Sequence, residues 1–272
     1  MPEGDAVWRT ARRLDEALGG RTLVRSDFRV PDFATVDLSG ETVHDVVSRG
    51  KHLFAHVGDL SIHTHLKMEG RWDVYARGAR WRRPAHEARL VLETASVQAV
   101  GFALGVVAVL TRDEEDQVVA RLGPDLLDPE LDAAEALRRL RSDPDRPLAD
   151  ALLDQGNLAG IGNVYRNEVM FVRGLHPDLT VADDPDLGRT VRTVRRMLLV
   201  NRDFPEIVTT GVRRRGERTW VYGRGGEPCR RCGARVERRA PVVTQTGGVE
   251  ERVTYWCPRC QPAPDRPAPE RR

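Results

Sequence analysis

Lysine is almost missing from this chain: its 272 residues hold two lysines beside forty-one arginines. A GC-rich coding sequence would produce that bias, so it excludes little, but it singles out Lys51 and Lys67. Lysine is a compact donor that can lose its proton, whereas arginine stays charged. A lysine kept on this background suits a role that arginine cannot fill. Cysteine is also sparse: four residues, all in two Cys-x-x-Cys pairs. That argues against a disulfide-dense secreted scaffold and leaves two disulfides or unrelated thiols as the plainer alternative to a metal site. No run of about 18 apolar residues occurs, so no membrane-spanning helix is expected. The start lacks a basic stretch followed by an apolar one, so no secretory signal is expected. These absences predict a soluble, cytoplasmic protein with no membrane partner.

Net charge is also small, at +2. Its distribution is uneven, with a balance of −2 over residues 1–60 and +6 over residues 201–260. A basic segment on a near-neutral protein suits a polyanion, although a solvated charged face is the plainer reading.

Residues 5–18 read as a helix, with Val7, Ala11, Leu14 and Leu18 on one face and Gly19-Gly20 ending it. Residues 22–111 alternate short Val/Leu/Phe/Thr runs with Gly, Pro and Asp, which predicts an antiparallel β domain of sandwich type. Residues 121–129 form a turn-rich connector. Helical patterns then cover residues 130–142, 147–155, 163–172 and 185–202. A cysteine module and a Pro-rich tail, expected to be disordered, close the chain. No internal repeat is visible. The predicted class is α+β and multidomain, with a β domain over 1–125, a helical domain over 126–223, a metal module over 224–261 and a tail over 262–272.

Cys229 and Cys232 form one knuckle, Cys257 and Cys260 the other, with 24 residues between the pairs. Two such knuckles complete a tetrahedral zinc site. The spacer has two β-like runs around TQTGG, predicting a hairpin. One structural Zn2+ is expected, in a closed all-thiolate site with no open position for catalysis. Arg230, Arg231, Arg235, Arg238, Arg239, Arg252 and Arg259 surround it and favour a phosphate backbone as target. Gly156, Gly160 and Gly162 crowd the turn before Asn163, at the start of a helix. Free N–H groups at a helix start suit a phosphate; an ordinary αα turn is the plainer alternative. Asn163 either caps that helix or donates its amide outward.

The segments MPEG (1–4), RGKHL (49–53), LDQGNLAGIGNVYRNE (153–168), VYGRGGEPCRRCG (221–233) and TYWCPRCQ (254–261) occur in this order. With them the chain resembles the formamidopyrimidine-DNA glycosylase/endonuclease VIII family, bacterial enzymes of base-excision repair, over essentially residues 1–261. The resemblance implies an N-terminal two-layer β-sandwich with flanking helices, a helix–two-turn–helix segment near 147–172 and a zinc-ribbon hairpin. It implies DNA in the cleft between domains, in a nucleoid-associated monomer.

It also assigns roles. Loss of Met1 would make Pro2 a secondary amine that attacks a sugar carbon and forms an iminium ion. An α-amino group has an ordinary pKa of about 7.7–8.0, and a helix's positive end disfavours its ammonium form. Glu3 would be general acid/base; its plainer role is a first-turn acid. Lys51 matches the family's hairpin lysine near the damaged base, and Arg252 the zinc-finger arginine tied to the second elimination. Asn163 matches a phosphate contact and Arg121 a DNA contact of endonuclease VIII-like proteins. Once a nucleotide is expelled from the stack, Met68 would fill the gap beside Lys67. The purine-specific branch has an Arg-containing loop resembling DPRRFG where this chain has QAVGFALG, with Phe102 and no arginine.

The implied activity is that of an endonuclease VIII-type glycosylase/AP lyase, favouring oxidised pyrimidines and cleaving by β,δ-elimination. MPEG supports that branch; Asp5, where the branch has proline, departs from it. The implied partner is damaged double-stranded DNA, with bubble and single-stranded DNA as further candidates. A purine-lesion enzyme and a non-catalytic zinc-dependent DNA-binding protein remain the alternatives. His63 and His65 share a strand face and receive no role.

Overall fold

The computed structural model describes residues 2–240 and 252–264. The expected TQTGG turn and the tail from residue 265 onward lie outside these residues. The chain divides into two compact units, Met1–Leu122 and Gly123–Arg272.

The first unit opens with helix α1 (Gly4–Leu18), which buries Val7, Ala11, Leu14 and Leu18 as their spacing predicts. Nine strands follow: β1 (Arg21–Thr22), β2 (Arg25–Phe28), β3 (Thr42–Arg49), β4 (His52–Val57), β5 (Leu60–His65), β6 (Arg71–Ala76), β7 (Ala88–Glu93), β8 (Val97–Phe102) and β9 (Val106–Thr111). They form a five-stranded sheet in the order β1-β3-β4-β5-β9 and a four-stranded sheet in the order β2-β7-β8-β6. Every pairing is antiparallel. Leu53, Ala55, Val57 and Ile62 of the larger sheet meet Trp72, Leu90, Leu92 and Ala99 of the smaller one, with α1 packed into the same core. Strand alternation sends His52, Phe54, His56, His63 and His65 to the other face. Helix α2 (Arg112–Ala120) covers part of that face and was not anticipated.

The second unit holds α3 (Ala133–Leu140), α4 (Leu148–Leu153), α5 (Asn163–Arg173) and α6 (Leu187–Asn201), then a two-stranded ribbon of β10 (Glu237–Arg239) and β11 (Thr254–Trp256). Helix α5 is central, buried continuously from Tyr165 to Phe171. Phe171 shares an apolar cluster with Val221, Val236 and the sulfur-bearing Cys229 and Cys257, so the helices and the cysteine module have a common core.

Candidate active site and nucleic-acid interface

Helix α1 does not begin at Pro2. Its first residue is Gly4 and Glu3 holds the cap position, so Pro2 stands outside the helix, half-buried, before the cap. The Glu3 carbonyl accepts the N–H groups of Ala6 and Val7 at 3.0 and 3.1 Å, while its side chain makes no capping bond. That carboxylate is nonetheless only 2% exposed, and Lys51, in the β3–β4 turn, only 5%. The helix runs alongside β3 in the opposite direction: Asp15 Oδ1 accepts the Val46 N–H at 2.9 Å, and Val43 O accepts the Gly20 N–H at 2.7 Å. Back from Asp15 the helix rises about 1.5 Å per residue to Gly4. Onward from Val46 the strand rises about 3.3 Å per residue to Lys51. Both paths advance about 16 Å. Pro2, Glu3 and Lys51 therefore come to the same end of the sandwich.

The register carries further groups there. His52 faces His65 across β4 and β5, which brings Lys67 and Met68 beside the Lys51 turn. Lys67 is exposed, and Met68 is 64% exposed, which excludes a core role for this methionine. Three imidazoles stack behind them. His52 Nδ1 and His63 Nε2 are 2.8 Å apart, His65 meets His52 edge-on at 5.0 Å, and Phe54 closes the stack against His63 at 4.8 Å. Burial and the neighbouring His52 push His63 down to about 4 and His65 to about 3, so these two rings are neutral near pH 7. Phe102 is fully buried and meets Trp81 edge-on at 5.7 Å. It is a core residue, unavailable as a wedge. Arg121 lies exposed at the C-terminal end of α2.

In the second unit Gly160 has φ +99°, and Gln155 stitches the turn by accepting its N–H at 3.1 Å and donating to Ile161 O at 3.0 Å. Gly162 takes the cap position, so Asn163 is the first residue of α5 and not its cap. The Asn163 amide donates to Val253 O at 3.0 Å, and its oxygen accepts from Arg166. Arg166 also reaches Thr254 Oγ1 at 2.9 Å, and Asn167 Oδ1 accepts the Tyr255 N–H at 2.7 Å. These bonds fasten β11 to the start of α5 and place the exposed Arg252 beside Asn163. Several arginines of the basic segment are already committed: Arg239 clamps Asp178 at 2.7 and 3.1 Å, Arg231 lies over Phe171, and Arg230 donates to Thr219 O and Gly216 O.

The sulfurs of Cys229, Cys232, Cys257 and Cys260 all lie within 4.8 Å of one another. Four sulfurs at about 2.3 Å from one tetrahedral ion would be about 3.8 Å apart; the Cys229–Cys260 and Cys232–Cys257 separations are 4.0 and 3.4 Å. Burial pushes the Cys260 thiol up to about 12, while the Ala234 backbone N–H draws Cys232 down to about 7. Thiolates so crowded need a cation to coexist. The cluster can hold a metal ion.

One buried group escaped the sequence reasoning. Glu168 accepts the N–H groups of Trp220, Val221 and Tyr222 at 2.8, 2.9 and 2.8 Å, and the Thr209 hydroxyl. It anchors the segment that leads from α6 into the cysteine module.

Residues 1–103 match the family model of the formamidopyrimidine-DNA glycosylase N-terminal domain, and residues 122–214 that of its H2TH domain. A Streptomyces coelicolor protein named "Probable endonuclease 8 2" is 53% identical over 268 residues, covering 97% of this chain and 95% of that protein. The Mycolicibacterium smegmatis "DNA-(apurinic or apyrimidinic site) lyase Nei2" is 52% identical over 263 residues, covering 97% of this chain and all of the relative. Among solved structures, a complex of the LlFpg protein with THF-DNA and an inhibitor matches with a TM-score of 0.78 at 23% identity, over 96% of this chain and 100% of that one. That likeness shows the same fold. By sequence and by fold, the chain belongs to the formamidopyrimidine-DNA glycosylase/endonuclease VIII family.

Proposed function

We propose that this protein is a bifunctional DNA glycosylase/AP lyase of base-excision repair, removing oxidised bases, pyrimidines before purines, from damaged double-stranded DNA. The observation that carries this is the placement of Pro2 ahead of the α1 cap, at the end of the sandwich that also holds two buried charged side chains, Glu3 and Lys51. Relatives named endonuclease 8 and DNA-(apurinic or apyrimidinic site) lyase support the activity. The absence of an arginine from the QAVGFALG stretch supports pyrimidines over purine lesions.

After loss of Met1, the Pro2 nitrogen attacks C1′ of the expelled nucleotide. The N-glycosidic bond breaks and the base leaves with its electron pair, taking a proton. Glu3 serves as the acid/base that assists base loss and opening of the sugar ring, and Lys51 acts near the base and C1′. The iminium acidifies C2′; loss of that proton expels the 3′ phosphate, and a second elimination expels the 5′ phosphate. Asn163 and Arg252, joined through Val253, hold phosphate charge near the second step. Lys67 and Met68 enter the vacated stack, and Arg121 contacts the duplex. The four cysteines would hold one Zn2+, which supplies no chemistry and fixes the ribbon carrying Arg252.

Borohydride trapping on a duplex with an oxidised pyrimidine tests this. We expect one covalent protein–DNA adduct, an intact mass lacking Met1, and at least a hundredfold lower adduct yield for Pro2→Gly. A wild-type chain that forms no adduct, or a Pro2→Gly variant that traps at full yield, overturns the assignment.

A further inference from the structure

Among the described residues, two non-glycine positions have positive φ: Lys67 at +53° and Ala103 at +47°. Lysine is a poor choice for the left-handed region, which glycine and asparagine occupy more readily. Such conformations persist where surrounding structure over-determines them, and they cluster at ligand clamps. Both strained residues fall in facing turns, Leu66–Gly70 between β5 and β6 and Ala103–Gly105 between β8 and β9.

The turns interlock. The Gly105 N–H donates to His65 O at 3.0 Å. A Cβ on Gly105 would lie 2.1 Å from Lys67 Cγ and 2.7 Å from its Cβ, so the lysine stem rests directly on this glycine. A Cβ on Gly70 would lie 2.4 Å from Leu66 O and 3.0 Å from Ala103 O. On the other side, the Lys67 N–H donates to His65 Nδ1 at 2.9 Å. An accepting Nδ1 puts the proton of the neutral ring on Nε2. A ring protonated at both nitrogens would face the Lys67 N–H with a second donor and lose the bond. His52 and, through it, His63 hold the ring in place.

We infer that His65 and Gly105 are positioning residues for the Lys67–Met68 tip: His65 Nδ1 fixes the left-handed turn and Gly105 seats the lysine stem, so that ammonium and thioether project as one preformed probe for the gap left by an expelled nucleotide. The Ala103–Gly105 turn is then a seat and not a second finger, and contact with the unpaired opposite base falls to Lys67 and Met68. This rests on the DNA glycosylase reading above, and the test separates the two.

Asparagine places an amide oxygen near the position of histidine Nδ1, whereas glutamine places its amide near Nε2. His65→Asn therefore keeps the acceptor and His65→Gln removes it. The readout is the fluorescence of 2-aminopurine opposite a tetrahydrofuran abasic analogue, which reports entry of the tip, with kcat and KM measured in parallel. We expect His65→Gln and Gly105→Ala to slow entry and lower kcat about tenfold, with KM changed less than threefold and Tm unchanged, and His65→Asn to stay within threefold of wild type. In the background of Lys67→Gly, Gly105→Ala should cost nothing more, because the stem it strikes is gone. A DNA-free readout is the ¹⁵N imidazole spectrum, where His65 should be the Nε2–H tautomer. An Nδ1–H tautomer, equal behaviour of the Asn and Gln variants, or a wild-type Gly105→Ala overturns the inference while borohydride trapping of the wild type still succeeds. Failure of wild-type trapping would instead count against the glycosylase reading.

Discussion

Glu168 shows how much one buried side chain can organise. Its carboxylate is fully buried and takes three consecutive backbone N–H groups and a hydroxyl, so no water is needed to satisfy it. Removing it strands those donors, at about 1 kcal/mol or more for each buried N–H left unmade. Glu168→Ala should destabilise the second unit by about 3 kcal/mol in urea unfolding. Glu168→Gln should cost less, since Oε1, which serves Val221 and Tyr222, has an amide counterpart. Equal losses for the two variants would mean that packing, not hydrogen bonding, fixes the segment. Glu168 was legible only as the last letter of a long motif. Its partners are some fifty residues away, and nothing local in YRNEVMF announces that the carboxylate turns inward. The opposite holds for Pro2 and the four cysteines, whose proposed chemistry depends on chain position and spacing that can be read directly from the sequence.

At the scale of elements, α1 and α2 make a contrast. Helix α1 was readable because its apolar residues recur on one face and are buried there. Helix α2, TRDEEDQVVA with its cap, has no apolar stripe and no fully buried residue. Its start is written in another code: Thr111 and Glu114 form a reciprocal capping box, and Asp113, Glu114 and Glu115 sit in the first turn. Glu115 ties the helix to the sheet: it meets His56 at 3.0 Å while His56 contacts Asp45 through its other nitrogen. Burial alone would raise the Glu115 carboxyl, but Ser61, His56 and Arg112 outweigh it and hold it below its usual range. A depressed acid stabilises the folded state above its unfolded pKa, and that contribution fades as pH falls through the folded value. Amide exchange in α2, after correction for intrinsic rates, should therefore accelerate as the pH falls below about 4. Thr111→Ala should lower α2 protection by about 1 kcal/mol at neutral pH. Protection that strengthens as the pH falls below about 4 would contradict the sign.

For the molecule as a whole, the question is how far loss of the proposed zinc would travel. Strands of three residues, as in β10 and β11, are too short to hold a ribbon unaided. The ribbon is fixed by the thiolate cluster, by Phe171 and Val221 beneath it, and by bonds from Asn163, Arg166 and Asn167 to residues 253–255. Gln261 adds a tie, accepting the Cys257 N–H and donating to Leu175 O. All of these lie within the second unit, whereas the sandwich has its own core of α1 and two sheets. Chelation, or Cys257→Ser, should thus disturb the ribbon and the Arg252 beside it while the sandwich stays folded. The five tryptophans report on this directly: Trp8, Trp72 and Trp81 belong to the first unit, Trp220 and Trp256 to the second. With fluorotryptophan incorporated, removal of the metal should shift or broaden the ¹⁹F signals of Trp220 and Trp256 and leave the other three within their linewidths. DNA affinity should fall at least tenfold, with a shallower salt dependence, because a basic surface no longer meets phosphate as one rigid body. If all five resonances move, the metal supports the whole fold and the ribbon is not a separable grip. If none moves although chelation strips the proposed zinc, the cysteine cluster is not what fixes Arg252.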